Sequence, residues 1–147
     1  MTTPATSTSF ALSPTSLTVH TSTSYTLSFT FSVPHISGDY FSFSIDPSMA
    51  FVTPSCTAVS GISSVSCATS NSTTLVITLL AVPQASAQIS ISSIQNYDVS
   101  GTAVPFKADF FNAAGYAMES TNTVTQIYTQ DAITAYSINN NDQIALN

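Results

Sequence analysis

The chain has 147 residues, of which 44% are apolar and 5% are charged; its formal net charge is −6, and Lys107 is its only basic residue. One cation cannot neutralise a row of phosphates or hold a protein on an anionic bilayer, so this composition excludes nucleic-acid binding and electrostatic membrane docking. The sequence has no run of about 18 apolar residues, and we therefore predict no membrane insertion. The apolar content suits one folded domain rather than a disordered chain.

Serine and threonine stand where an ordinary domain carries charged residues, which usually make up about 25% of a chain. A surface that is solvated by hydroxyls, or by sugars attached to hydroxyls, is typical of secreted and cell-surface proteins. We therefore expect an extracellular or cell-surface protein that carries covalent glycans.

Residues 1–13 are predicted to form an extended N-terminal segment outside the folded domain. The segment is rich in hydroxyls, which favours O-glycosylation. The candidate sites are Thr2, Thr3, Thr6, Ser7 and Thr8. The segment has neither the basic nor the apolar part of a signal peptide, so we expect the natural chain to start upstream of Met1.

Apolar residues alternate with serine and threonine through the middle of the chain. Tyr25, Leu27 and Phe29 show the pattern, which predicts a strand with one buried and one solvated face. We expect an opening strand after Pro14 as well. The predicted core-facing residues of all these strands are Leu17, Val19, Tyr25, Leu27, Phe29, Phe31, Val33, Phe41, Phe43, Ile45, Leu75, Ile77, Leu79, Ile89, Ile91, Phe106, Ala108 and Phe110.

Proline and glycine punctuate these segments and predict the turns between strands. Regular short strands over residues 14–120 predict an all-β fold, an Ig-like Greek-key β-sandwich of about seven strands. The chain has no tryptophan, so the antibody-type core, in which a tryptophan packs on an inter-sheet disulfide, is excluded.

The two cysteines, Cys56 and Cys67, are 11 positions apart, with a turn candidate at Gly61 between them. In an oxidising compartment they would form a disulfide that clips a hairpin or loop, worth about 2–3 kcal/mol. The alternative is a pair of buried free thiols. His20 and His35 are the only imidazoles, and without a metal-ligand spacing we predict no metal site and no cofactor.

The segment Asn71-Ser72-Thr73 is a sequon for N-glycosylation. It directly precedes the predicted strand that starts near Leu75, so we expect Asn71 to lie in a surface loop and to carry a glycan.

Residues 121–147 form a C-terminal tail that is apolar, β-prone and almost uncharged. Left unpaired, such a segment would aggregate. One interpretation is a further strand of the same domain; the other is a strand donated to a neighbouring subunit, which would build a head-to-tail homopolymer. The residues predicted to form the polymerisation strand are Val124, Ile127, Tyr128, Ile133, Tyr136 and Ile138.

The sequence gives little sign of catalysis. Its acidic residues are isolated from one another, and neither a nucleophile elbow nor a glycine-rich phosphate loop is present. The acidic residues are Asp39, Asp46, Asp98, Asp109, Glu119, Asp131 and Asp142. We therefore predict no catalytic residues and no enzyme; an enzyme would need two acids, or a serine and a histidine, in one cleft.

Several segments between residues 12 and 120 form a further pattern. They are Leu12-Ser13-Pro14-Thr15-Ser16-Leu17, Ser24-Tyr25-Thr26-Leu27-Ser28-Phe29, Phe43-Ser44-Ile45-Asp46-Pro47, the pair Cys56 and Cys67, and residues 89–96 and 106–111. Together they resemble the Ig-like repeat modules of large Ser/Thr-rich extracellular surface proteins of ciliates and other protists. Tyr97 stands where those modules often have proline. The resemblance implies an extracellular Ig-like module with a disulfide, in a coat, appendage or filament, and no enzymatic activity.

Composition, tail and resemblance lead to one functional expectation, a structural subunit of an extracellular, glycosylated filament or surface appendage that polymerises by strand donation. The alternative is an adhesin or carbohydrate-binding surface module. In that case exposed aromatic rings such as Tyr40, Tyr97 or Tyr116 would stack on sugars.

Overall fold

A computed structural model of the chain describes residues 5–130, with side chains from Ser9 onward. It is an all-β sandwich, as predicted, and within the described residues no helix could span a membrane. The strands are β1 (Ala5–Pro14), β2 (Ser22–Thr30), β3 (Tyr40–Ser44), β4 (Ala50–Phe51), β5 (Cys56–Ser60), β6 (Val65–Asn71), β7 (Thr74–Leu79), β8 (Ser86–Gln95), β9 (Ala103–Phe111), β10 (Ala117–Thr121) and β11 (Val124–Ile127).

Two sheets share β1. In the first sheet β1, β2 and β8 lie side by side, and β4 and β5 both pair with the far edge of β8. In the second sheet the order is β1, β10, β9, β3, β7, β6, with β11 paired to the first half of β9. Residues 9–14 of β1 pair antiparallel with β2, whereas Ala5 lies opposite Glu119 in parallel pairing with β10. β1 therefore ties the two sheets together at one edge.

The core follows the predicted alternation. Tyr25, Leu27 and Phe29 are buried while the residues between them face outward. Phe29 lies at the centre, with its ring centroid 5.0 Å from that of Phe41 and 5.1 Å from that of Phe110. Burying a side chain of this size stabilises the fold by about 1.5–3 kcal/mol. These aromatic contacts hold β2 of the first sheet against β3 and β9 of the second.

The predicted opening strand is wrong in position. β1 ends at Pro14, and Leu17 and Val19 lie in the connection that follows it. The strand lies earlier, where Phe10 and Leu12 enter the core. Local alternation could not reveal this, because the first half of β1 consists of small hydroxyl residues and is fixed by pairing with β10.

The boundaries predicted at residues 14 and 120 also move outward, because β1 and β11 both belong to the sandwich. Val124 lies opposite Phe106 of the same chain, and Tyr128 is fully buried in the core. Val124, Ile127 and Tyr128 are therefore not free to be donated, and only Ile127 of the three is exposed. Ile133, Tyr136 and Ile138 lie outside the described residues.

Different connections form the two ends of the sandwich. One end, the apolar pole, consists of the β2–β3, β7–β8 and β9–β10 connections, which are residues 31–39, 80–85 and 112–116. The other end, the exit pole, consists of the β1–β2 and β8–β9 connections, which are residues 15–21 and 96–102. β1 starts at the apolar pole beside Glu119, and β11 ends at the exit pole, where Ile127 lies opposite Ala103. Strands rise about 3.3 Å per residue, so the ten residues of β1 span about 33 Å between the poles.

Candidate functional site

A buried polar cluster lies beneath the apolar pole, where sequence analysis predicted only isolated acids. His35 of the β2–β3 connection contacts two carboxylates, with its Nδ1 3.1 Å from Asp39 Oδ2 and its Nε2 bonded to Glu119 Oε2 of β10. The Ser32 amide and hydroxyl donate to Glu119 Oε1 at 3.0 and 2.7 Å. Asp39 Oδ2 also accepts from the Ile36 amide at 3.0 Å. The cluster thus fastens the β2–β3 connection to β10.

The cluster is polar although it is buried. Each ring nitrogen of His35 faces one carboxyl group, that of Asp39 on one side and that of Glu119 on the other. Burial works to raise the pKa of Glu119, but the hydrogen bonds from His35 and Ser32 outweigh it, and the pKa lies below its ordinary value. Among the described residues Asp39 Oδ1 stands out as a buried polar atom without a hydrogen-bond partner.

The geometry of this cluster suits fastening rather than metal binding. Asp39 and Glu119 lie on opposite sides of the His35 ring, so the three groups cannot converge on one ion, and residues 5–130 contain no other group of metal ligands. The Ser32 hydroxyl donates to Glu119 Oε1 and not to His35.

Apolar side chains cover the outside of the same pole. Ile36, Leu80, Val82 and Tyr116 project into solvent from its three connections, with Val82 66% and Tyr116 72% exposed. A groove of about 400 Å³ runs between the β2–β3 and β7–β8 connections. The residues that line it are Phe31, Ser32, Val33, Pro34, His35, Val82, Pro83, Gln84 and Ala85. The only acidic residue in these connections, Asp39, is buried, so the surface of the pole is uncharged.

A second buried network lies beneath the exit pole. The Tyr25 hydroxyl donates to Asn96 Oδ1 at 2.5 Å and lies 2.5 Å from the Tyr128 hydroxyl. The Tyr128 hydroxyl also donates to Met49 Sδ at 3.9 Å. Burial, more than the contact with Tyr128, raises the pKa of Tyr25 far above its ordinary value. Burial also raises the pKa of Tyr128 to about 12, although the hydrogen bond with Tyr25 acts in the opposite direction.

The same network fixes the point from which the C-terminal tail leaves the sandwich. Asn96 Nδ2 donates to the carbonyls of Ser16 and Thr18 at 2.9 and 2.8 Å, which holds the β1–β2 connection in place. That connection in turn pairs with Thr129, whose amide donates to the Leu17 carbonyl at 2.8 Å. The residues after Gln130 therefore start from a defined position at the exit pole.

Cys56 and Cys67 are disulfide-bonded, and the bond closes the connection between β5 and β6, as predicted. Cys56 lies on β5, opposite Ile91 of the first sheet, and Cys67 lies on β6, opposite Ile77 of the second. The disulfide therefore joins the two sheets at the edge opposite β1. The short spacing concealed this, because the chain crosses between sheets within the turn at Gly61.

The glycosylation candidates occupy different positions in the fold. Asn71 ends β6 in the tight turn before β7 and is exposed, with its Oδ1 accepting from the Thr73 amide at 2.9 Å and hydroxyl at 3.0 Å. Thr2 and Thr3 lie outside the described residues. Thr6, Ser7 and Thr8 lie in the half of β1 that pairs with β10.

The outer face of the first sheet carries hydroxyls and amides instead of charge. None of its strands contains an acidic or basic residue. Its side chains bond to one another across strands, as in the 3.2 Å contact between the Thr30 and Ser86 hydroxyls and the 3.1 Å bond from Gln88 Nε2 to Ser28 Oγ. This face is solvated by neutral groups alone.

The remaining predicted residues do not form one site. Tyr40 stacks on Phe111, with ring centroids 5.3 Å apart, and Tyr116 lies at the same pole, whereas Tyr97 packs on Tyr128 at the exit pole. Asp109 lies 3.9 Å from Lys107 on the outer face of the second sheet. Glu119 was the residue that sequence reasoning could have found, because it occupies an inward position of β10.

The comparisons with known proteins identify a solved structure that shares the fold of this chain. No protein-family model matches the chain, and no curated protein matches it in sequence. Among solved structures the chain is similar to BslA, described as a bacterial hydrophobin, with a TM-score of 0.55 and 10% identity over 85% of this chain and 100% of BslA. At that identity the likeness shows a shared β-sandwich architecture.

Proposed function

We propose that this protein is a structural subunit of an extracellular, glycosylated filament or surface appendage, in which copies join head to tail. The observation that carries the proposal is the position of the two terminal strands. β1 starts at the apolar pole and β11 ends at the exit pole, so the residues after Gln130 leave towards one neighbour while the opposite pole faces another. Such a heterologous contact repeats without closing and yields a fibre.

The extracellular location is supported by three features. The Cys56–Cys67 disulfide is typical of an oxidising compartment. The outer face of the first sheet is neutral and rich in hydroxyls, as expected of a surface that is solvated by glycans. Asn71 is exposed at the turn before β7, as an N-linked glycan requires. The likeness in fold to a bacterial hydrophobin also supports a structural role over a catalytic one.

Polymerisation uses the tail beyond Gln130 rather than the whole predicted strand. Val124 and Tyr128 are held in their own sandwich by pairing and burial. Ile133, Tyr136 and Ile138 follow the fixed exit point and supply apolar side chains for a neighbour. The donated segment is therefore shorter than the sequence prediction.

The experiment is electron microscopy of the full chain beside a variant that carries Ile133→Ser, Tyr136→Ser and Ile138→Ser. We expect regular fibres from the full chain and single particles from the variant. The matched control is Ile127→Ser, which removes an exposed isoleucine just before the exit point and leaves fibres intact. Single particles from the unaltered chain at high concentration would contradict the proposal.

A second candidate function is carbohydrate binding, favoured by the aromatic rings at the apolar pole. Tyr40 and Phe111 form a stacked pair, and Tyr116 is 72% exposed nearby. Such rings offer apolar faces to sugars. Binding to a glycan array that is lost in Tyr116→Ala, from a protein that stays monomeric, would favour this function over the filament.

A further inference from the structure

We propose that the groove at the apolar pole is the docking site for the C-terminal tail, residues 131–147, of a second copy of this chain. The proposal rests on the head-to-tail function above and names its acceptor surface. The occupant is a defined segment of the same chain, and the acceptor is the groove between the β2–β3 and β7–β8 connections.

The acceptor surface combines exposure with neutrality. Val82 lines the groove and is 66% exposed, and Ile36 and Leu80 project from the same two connections with 63% and 48% exposure. Several exposed apolar side chains at one end of a domain usually mark an interaction site. Three buried polar side chains beneath it, His35, Asp39 and Glu119, bond to one another rather than facing the surface.

The groove is rigid enough to be preformed. Its β2–β3 wall is held by the bonds of Ser32 and His35 to Glu119. The Phe31 amide donates to the Ala85 carbonyl at 2.9 Å, which links that wall to the β7–β8 wall. Pro34 and Pro83 lie one in each wall and further restrict the backbone. A preformed groove lowers the entropy lost on docking.

The tail has the matching chemistry. Its residues 132–141 carry no charge and contain Ile133, Tyr136 and Ile138, while Asp131 and Asp142 flank them. A groove of about 400 Å³ has room for one or two side chains of this size. The segment follows Gln130 at the exit pole, and an extended chain reaches about 3.3 Å per residue. It can therefore cross from the exit pole of one copy to the apolar pole of the next.

The exit pole is the less suitable acceptor. Asp98 is exposed in the β8–β9 connection, and Asp46 lies in the connection after β3, near the same end. These carboxylates and the acidic residues of the tail carry the same sign, so tail docking there would bring like charges together. The contrast between the poles favours a directional, head-to-tail contact over a symmetric one.

The test uses a peptide of residues 131–147 with the full chain. Labelled peptide is titrated with unaltered protein, with Ile36→Ser/Val82→Ser, and with Val99→Ser, an exposed valine at the exit pole. We expect the double variant to bind at least about tenfold more weakly and Val99→Ser to bind unchanged. Binding should persist between about 0.1 and 1 M salt, because the contact is neutral.

A photo-crosslinker at position 136 of the full chain separates this inference from the proposed function. We expect cross-links between copies to residues 31–36 or 80–85. Fibres whose cross-links fall elsewhere, or equal peptide binding by the double variant, overturn the docking site but leave the filament. Absence of fibres together with absence of peptide binding overturns both.

Discussion

The Tyr25 hydroxyl lies 2.5 Å from the Tyr128 hydroxyl, although the two residues are 103 positions apart. The contact closes the sandwich, because Tyr25 lies on β2 of the first sheet and Tyr128 directly follows β11 of the second. It also gives the end of the described chain a buried polar anchor. Hydrogen bonds continue from this anchor through Asn96 to the β1–β2 connection.

Tyr25 is the central member of this network, because its hydroxyl contacts both Asn96 Oδ1 and the Tyr128 hydroxyl. Tyr128→Phe removes one hydroxyl from the end of the network and should cost about 1 kcal/mol. Tyr25→Phe leaves Asn96 Oδ1 buried without its donor, at about 1–3 kcal/mol, and leaves the Tyr128 hydroxyl with only its weak contact to Met49 Sδ. Urea denaturation should therefore rank Tyr25→Phe as the more destabilising, with Tyr116→Phe as the exposed control. The reverse ranking would contradict the central position of Tyr25.

Removal of the imidazole at position 35 should destabilise the fold strongly. His35→Asn leaves the buried carboxyl groups of Asp39 and Glu119 without the imidazole that bonds to both, at about 1–3 kcal/mol for each unsatisfied group. The matched control is His20→Asn, since His20 is exposed and asparagine tolerates its positive φ of 59°. Equal unfolding midpoints of the two variants in urea would contradict a stabilising role of the cluster.

Acid should weaken the protein through Glu119. Its pKa in the folded state lies below the ordinary 4.5, so its contribution is present above the unfolded-state pKa and is lost as pH falls through the lower folded-state value. The free energy of unfolding measured from neutral pH downward should fall more steeply below about pH 4.5 for the unaltered protein than for Glu119→Gln. Asp109→Asn, at an exposed ion pair, should keep the steep profile.

Loss of the disulfide should loosen one edge of the sandwich. Cys56→Ala/Cys67→Ala should lower the free energy of unfolding by about 2–3 kcal/mol, the value expected for a loop of this length. Reductant should have the same effect on the unaltered protein and none on the double variant. Insensitivity of the unaltered protein to reductant that does break the bond would contradict a stabilising role.

Gly61→Ala should be far more harmful than Gly101→Ala. Both glycines have positive φ, which costs about 1–2 kcal/mol for a residue with a side chain. At Gly61 the added Cβ would also lie 1.9 Å from the Ser86 carbonyl oxygen, whereas at Gly101 it meets nothing within 4 Å. We expect a loss of about 3 kcal/mol or more at Gly61. Thermal unfolding of the two variants measures the difference.

The buried side of the core strands could be predicted because alternation is a local signal. Phe41 and Phe43, Ile77 and Leu79, and Phe110 all enter the core as their spacing indicates. The buried polar cluster of the candidate site depends instead on contacts between distant segments of the chain. His35 and Glu119 are 84 positions apart, and no local period reports that they meet.

The tail shows the same division between local and distant signals. Its β-prone composition correctly predicts the β11 strand, but composition cannot say which chain supplies the partner strand. The Val124–Phe106 register and the burial of Tyr128 decide that for residues up to 128. The inter-sheet disulfide was missed for a related reason, since sequence spacing does not reveal that the chain changes sheet after Gly61.

The positions of β1 and β11 also determine how the sandwich would bear mechanical load. A pull on the residues before Ala5 and after Gln130 acts at opposite poles, and therefore along the strands. Ladder hydrogen bonds lie across the strands, so such a pull shears the whole row between β1 and β2 at once instead of opening it bond by bond. The Gln126 side chain, which donates to the Leu12 carbonyl at 3.2 Å, adds a link between the two loaded strands. A sandwich built in this way resists stretching along the axis that joins its poles.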